Sequence, residues 1–187
     1  MANCPACKHV SLVMTNIEDG LPVLTCSVCH GSWLRANEYA RWLKSQSPGT
    51  FAEDQTKDAS ERFAIVESNK AITCPDCGRF LRKYRIGATV DFHIDRCNHC
   101  NGVWLEANEW QALKAGDLHD EVNQFFTKPW QDSIQSKATA ATLDAIYLQR
   151  FGATDYQKIR QMRDWLKEHP NRNMLIAFML DQDPYAV

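Results

Sequence analysis

Eight cysteines carry the clearest chemistry in this chain, and their spacing sorts them into two sets with none left over. The first set is Cys4, Cys7, Cys26 and Cys29; the second is Cys74, Cys77, Cys97 and Cys100. Each set is two C-x-x-C turns separated by 18 or 19 residues. Such a turn aims two sulfurs at one point, and a second turn brought beside it completes a tetrahedron. Thiolates suit zinc and also iron in a rubredoxin-like role; zinc is the better match to a four-sulfur structural site. Four protein thiolates fill the shell and leave no open position to activate water. The expectation is two structural zinc ions, no catalytic residues and no enzymatic activity. His9, His30, His93 and His99 lie near the cysteines in sequence, but a complete set of sulfurs leaves them no place as ligands.

The surrounding residues must bring each pair of turns together. In the first copy Val10–Met14 reads as a strand, Asp19-Gly20 as a hairpin turn, and Val23–Thr25 as the strand returning to Cys26. In the second copy Phe80, Arg82, Tyr84 and Ile86 alternate with Arg79, Leu81, Lys83 and Arg85. Gly87 marks the turn, and Val90, Phe92 and Ile94 share a face on the way to Cys97. Gly31, Gly102 and Gly78 fall at the knuckles, where a positive φ suits glycine; Lys8 takes the place of Gly78 in the first copy. Asn37 and Asn108 are candidate N-caps of short helices, with Glu38 and Glu109 just inside them. Trp33 and Trp104 stand at one offset from their cysteines. They read as core under the knuckles, since so small a module has few other large side chains to bury, rather than as an exposed platform. A ribbon of about 40 residues buries too little apolar surface to fold without a metal.

The remaining chain divides by composition. Residues 1–44 hold the first ribbon, 45–70 read as a linker rich in Ser, Pro, Gly, Thr and mixed charge, and 71–116 hold the second ribbon. Residues 117–187 turn helical. From Asp132 to Arg150, Ile134, Ala138, Ala141, Ala145 and Leu148 form a stripe, with Gly152 as the stop. Ile159, Met162 and Leu166 share a face of a helix that Pro170 ends. Met174–Leu180 is apolar throughout and needs burial in a helical bundle or against another chain. The fold class expected is small, metal-stabilised α+β: two zinc ribbons, each a β-hairpin plus short helix, and an all-helical C-terminal region.

The pattern C-P-x-C … C-x-x-C-x-G-x-W-L-x-x-x-E, present at 4–43 and 74–114, resembles the bacterial TFIIB-like zinc-ribbon family. The resemblance implies a zinc-stabilised ribbon followed by a short helix, with the eight cysteines as zinc ligands and Glu38 and Glu109 as the motif glutamates. The family's usual Asp after Trp-Leu is Arg35 in one copy and Glu106 in the other; its usual Gly before the Glu is Asn37 and Asn108. Asn tolerates a positive φ, so the turn survives.

Net charge narrows the partners. The formal charge is −2, and two tetrathiolate zinc sites would take it to roughly −6. Charge is spread evenly, with no basic tail, which disfavours broad phosphate binding. Arg79, Arg82, Lys83 and Arg85, interleaved with Phe80 and Tyr84, form the one nucleic-acid candidate, but Asp91 and Asp95 on the expected partner strand offer ordinary ion pairing. No run of 18 or more apolar residues suggests a membrane span. No secretory leader is expected, because Cys4 already belongs to the first set. Paired thiols of this kind read as metal ligands in the cytoplasm, the expected compartment, and as disulfides outside it. The leading expectation is a protein-interaction adaptor with an unidentified protein partner; the alternative is a nucleic-acid-binding or transcription-associated ribbon protein. A third class is a redox protein in which a C-x-x-C cycles between thiol and disulfide.

Overall fold

The computed structural model describes residues 2–46, 63, 65, 67–87, 91–182 and 184–185. Of the stretch expected as a linker, residues 47–62, 64 and 66 lie outside the described residues, as does Val90 of the expected second-copy strand. The chain forms two compact units, Met1–Gln135 and Ser136–Val187.

In the first unit, β1 (Val13–Glu18) and β2 (Leu21–Thr25) form the first hairpin. They turn at Gly20, whose φ of 70° suits glycine. β1 starts later than the sequence reading places it, because Ser11 bridges back to Asn3 beside the first C-x-x-C turn. The second hairpin is β4 (Arg82–Arg85) and β5 (His93–Arg96), with Phe80 bridging to Thr73 in the same manner. Each copy then adds a short third strand that the sequence reading does not anticipate: β3 (Ser32–Leu34) and β6 (Val103–Leu105). Both are buried along their whole length.

β3 and β6 pair with each other, so the copies share one six-stranded antiparallel sheet in the order β1-β2-β3-β6-β5-β4. The register is Ser32 with Leu105, Trp33 with Trp104 and Leu34 with Val103. Each copy's first strand residue faces the other's last, and the two tryptophans meet at the centre. That is the pattern of a local twofold axis, and the pairing removes an edge that each ribbon alone would expose.

Helices α1 (Ala36–Ser45) and α2 (Glu109–Ala115) follow β3 and β6. Asn37 is not the N-cap of α1; Arg35 holds that place in extended backbone, with no side-chain cap bond. Asn108 does precede α2, in the left-handed conformation with φ 71°. The helices bury Tyr39, Trp42, Trp110 and Leu113 in a core shared with Leu21, Val23, Ile86, Phe92 and Ile94. The unit runs on past the second ribbon: Leu118, Val122 and Phe125 join the same core. Trp130, at the start of α3 (Lys128–Phe151), donates to the Ile86 carbonyl at 3.0 Å.

The second unit holds the rest of α3, then α4 (Ala153–Lys167) and α5 (Arg172–Leu180). Gly152, with φ 75°, separates α3 from α4. The Tyr156 hydroxyl bonds Asp144, and Arg160 lies 3.9 Å from the same carboxylate. Ala141, Ala145 and Leu148, expected on a core-facing stripe, are exposed. Among the described residues of this unit only Leu166 is buried.

Two expectations follow from the first unit. A Cβ at Gly102 would lie 2.3 Å from Cζ2 of Trp33, so Gly102→Ala should destabilise by about 1–3 kcal/mol through overpacking of a rigid indole. Urea unfolding of the zinc-loaded protein measures this, and an unchanged midpoint would refute the contact. Glu109 is fully buried, and burial raises its carboxyl well above the ordinary 4.5, reinforced by the charges of Glu106, Asp95 and Glu67 against a backbone bond from Glu106. The folded protein therefore keeps a proton that the unfolded chain releases above about 4.5, and stability falls as pH rises through that window. Glu109→Gln should be more resistant to urea than wild type at pH 7 and lose that advantage below about pH 4.5; a constant difference across pH would count against a neutral Glu109.

Candidate metal centres

Each cysteine quartet converges. In both, the four Sγ atoms lie within 4.8 Å of one another. Cys4 and Cys29 are 3.6 Å apart and Cys7 and Cys26 3.9 Å; Cys74–Cys100 and Cys77–Cys97 are both 3.5 Å. A zinc ion with bonds of about 2.3 Å places tetrahedral sulfurs roughly 3.8 Å apart, so the donor sets fit zinc in chemistry and in size. These separations are far beyond a disulfide of about 2.05 Å. All eight positions are those read from the sequence.

Local backbone builds each centre. The amides of Lys8 and Gly78 bond the carbonyls of Cys4 and Cys74 at 2.7 and 2.9 Å, and those of His30 and Asn101 bond Cys26 and Cys97 at 3.0 and 2.8 Å. The turn residue with positive φ is thus Lys8 (62°), Gly78 (73°), His30 (59°) or Asn101 (60°). Gly31 and Gly102 do not supply it, contrary to the sequence reading. At Cys26, burial opposes ionisation but backbone bonds from Cys29 and Val28 outweigh it, bringing the thiol down to about 7. Cys97 reaches about 7 in the same way, against burial, through Cys100 and His99. Burial keeps Cys29 and Cys74 above the ordinary thiol range. A bound zinc would hold all four sulfurs as thiolates and neutralise charge that burial otherwise disfavours.

The two glycines serve the other copy. A Cβ at Gly31 would come within 2.3 Å of Cζ2 of Trp104, as one at Gly102 would of Trp33. Each tryptophan, 0% and 1% exposed, lies under the knuckle of the opposite ribbon. Cys4, Cys26, Cys74 and Cys97 consequently share one buried cluster with Trp33, Trp104, Leu12 and Ile72. The expectation that the indoles are core is met, but the knuckle each closes is its neighbour's.

The departures Arg35 and Glu106 gain a physical account. Arg35 forms a two-pronged ion pair with Asp76 of the second ribbon, Nε to Oδ2 at 2.9 Å and Nη2 to Oδ1 at 2.7 Å. Trp33 Nε1 donates to the same carboxylate at 2.9 Å. Arg35 therefore holds Asp76 below the usual carboxylate range despite its partial burial. The residue matching Asp76 in the first ribbon is Ala6, and Trp104 Nε1 is buried without a hydrogen-bond partner among the described residues. Glu106, in the place of Arg35, instead accepts the Ser68 amide through both oxygens at 2.9 and 3.1 Å. Sequence reasoning missed Asp76 as a clasp; its only signal is the coupled change of Asp76/Arg35 to Ala6/Glu106.

The suspected nucleic-acid cations are mostly engaged. Lys83 pairs with the buried Asp95 at 3.0 Å, and Arg85 grips Asp91 with two bonds of 2.6 Å. Arg79 Nη1 lies 2.9 Å from His99 Nδ1, and Arg82 sits 5.2 Å from the Tyr84 ring centroid.

Residues 3–45 and 73–116 match the family model described as a transcription factor zinc-finger. The two matched segments follow one another along the chain, consistent with two tandem copies of one zinc ribbon. Comparison with curated proteins and with solved structures gives no match. The cysteine quartets fit two zinc ions, one per ribbon. Among the described residues no helix is long and apolar enough to cross a membrane.

Because the ribbons share their tryptophan cluster, the two centres should be coupled. Cys97→Ser should weaken zinc retention at the intact first site by about tenfold or more, equivalent to about 1.4 kcal/mol. Chelator competition reads this directly, and an unchanged first-site affinity would mean the centres are independent.

Proposed function

We propose that this chain is a non-enzymatic zinc protein of the cytoplasm that works by binding another protein. The observation that carries this reading is the surface of the second unit, where Ile159, Met162, Trp165, Met174, Phe178 and Leu180 are all exposed. Apolar surface on this scale marks an interaction site. The metal centres support a structural role, since four sulfurs complete a zinc shell and leave no position for substrate or water. Closed, zinc-filled quartets also disfavour a cycling C-x-x-C. The family description mentions transcription, but a shared fold does not fix function.

The alternative is nucleic-acid binding by the face carrying Arg79, Arg82, Lys83 and Arg85. One observation favours it: Phe80, 75% exposed, stands beside Arg79, the arrangement that stacks a base. Against it, the ion pairs of Lys83 and Arg85 would have to open, and these charges already have partners. The chain's negative balance adds to that cost.

Affinity capture from the native host on the zinc-loaded full chain should recover protein that survives nuclease treatment and raised salt. Recovery of nucleic acid alone, released steeply by salt and abolished when Arg79, Arg82, Lys83 and Arg85 are all replaced with Ala, would instead establish the alternative.

A further inference from the structure

We infer that the second unit is a self-association surface and that its occupant is a second copy of the same unit, forming an intermolecular helical bundle. This deepens the protein-interaction reading and rests on it.

The unit lacks a core of its own. Its helices carry Leu143, Ile146, Leu148, Phe151, Ile159, Met162, Trp165, Met174, Phe178, Met179 and Leu180 between 38% and 79% exposed. Against these, Leu166 alone is buried among the described residues of the unit. Where α3 and α4 meet, the side-chain bonds are polar, from Tyr156 and Arg160 to Asp144. Large apolar residues three or four positions apart are exposed instead: Leu143, Ile146 and Tyr147 on α3, and Ile159, Met162 and Trp165 on α4. Helices whose apolar side chains are so little buried gain little from packing, so a partner must supply the missing contacts.

Two features favour a second copy as that partner. Eleven large apolar side chains lie 38% to 79% exposed; at roughly 150–250 Å² for a large side chain, their uncovered area is of the order of the roughly 800 Å² that each partner buries in a standard interface. The charge of residues 136–187 is balanced, with seven basic and six acidic side chains, so a like unit approaches without net repulsion. α4 carries Asp155 in its first turn and Lys167 in its last. Two copies aligned antiparallel about a twofold axis set each acidic end against a basic end and oppose the helix dipoles.

Sedimentation velocity of the zinc-loaded full chain tests this over a range of concentrations. The expected result is a mass rising from 21.4 kDa to twice that value. The double variant Met162→Glu/Trp165→Glu and the single variant Phe178→Glu should each shift the dissociation constant upward by tenfold or more. Met14→Glu, on the exposed edge strand β1, should not. Zinc content and helical circular dichroism report whether each variant remains folded. A wild-type mass that stays at one chain at every concentration overturns the proposal whatever the variants do. A dimer that survives the helix variants but not Met14→Glu overturns it by placing the interface on the sheet edge. A monomer that still captures a host protein defeats self-association alone, whereas a monomer that captures none also removes the adaptor reading.

Discussion

Two indoles exchanged between ribbons organise the first unit. Trp33 lies against Gly102 and Trp104 against Gly31, and the backbone of each knuckle is bare where the other copy's ring must fit. Burying one such ring removes roughly 150–250 Å² from water, an upper bound of about 4–6 kcal/mol at 25 cal/mol per Å². That is large for a module that cannot fill a core alone. The cysteine knuckles and the tryptophans are built against each other: each knuckle's sulfurs share a buried cluster with the indole that the opposite copy lays against it.

The exchange also explains why β3 and β6 exist. Three-residue strands gain little by themselves, but here they carry the tryptophans across the local twofold axis. Around that axis the copies have diverged. One side is clasped by Arg35 and Asp76; on the other, Ala6 offers no acceptor to Trp104 and Glu106 turns to the Ser68 amide. An acid at position 6 opposite Glu106 would bring like charges together, so the two departures from symmetry are compatible only as a set.

The motif glutamates show the same divergence. Glu38 is partly buried and pairs with the exposed Arg41 at 2.7 Å. Glu109 is enclosed and accepts the Glu106 amide at 2.8 Å, and burial, with the charges of Glu106, Asp95 and Glu67, raises its carboxyl well above the ordinary range. One sequence position thus serves as a surface ion pair in the first ribbon and as a buried hydrogen-bond acceptor in the second.

The amino-acid sequence alone determined what depends on short-range geometry. It gave all eight sulfurs by their spacing, the hairpins by alternation and turn residues, and the helix boundaries by Gly152 and Pro170, because these are set by neighbours along the chain. Tertiary structure decided which ribbon each tryptophan closes, where the glycines matter, and which acid Arg35 meets. Those pairings join residues some 40 to 70 positions apart, across a surface that forms only after both hairpins have folded, and no local pattern encodes them. The apolar tail shows the same division: its hydrophobic residues are legible in the sequence, but only the tertiary structure shows that its own helices leave most of them uncovered.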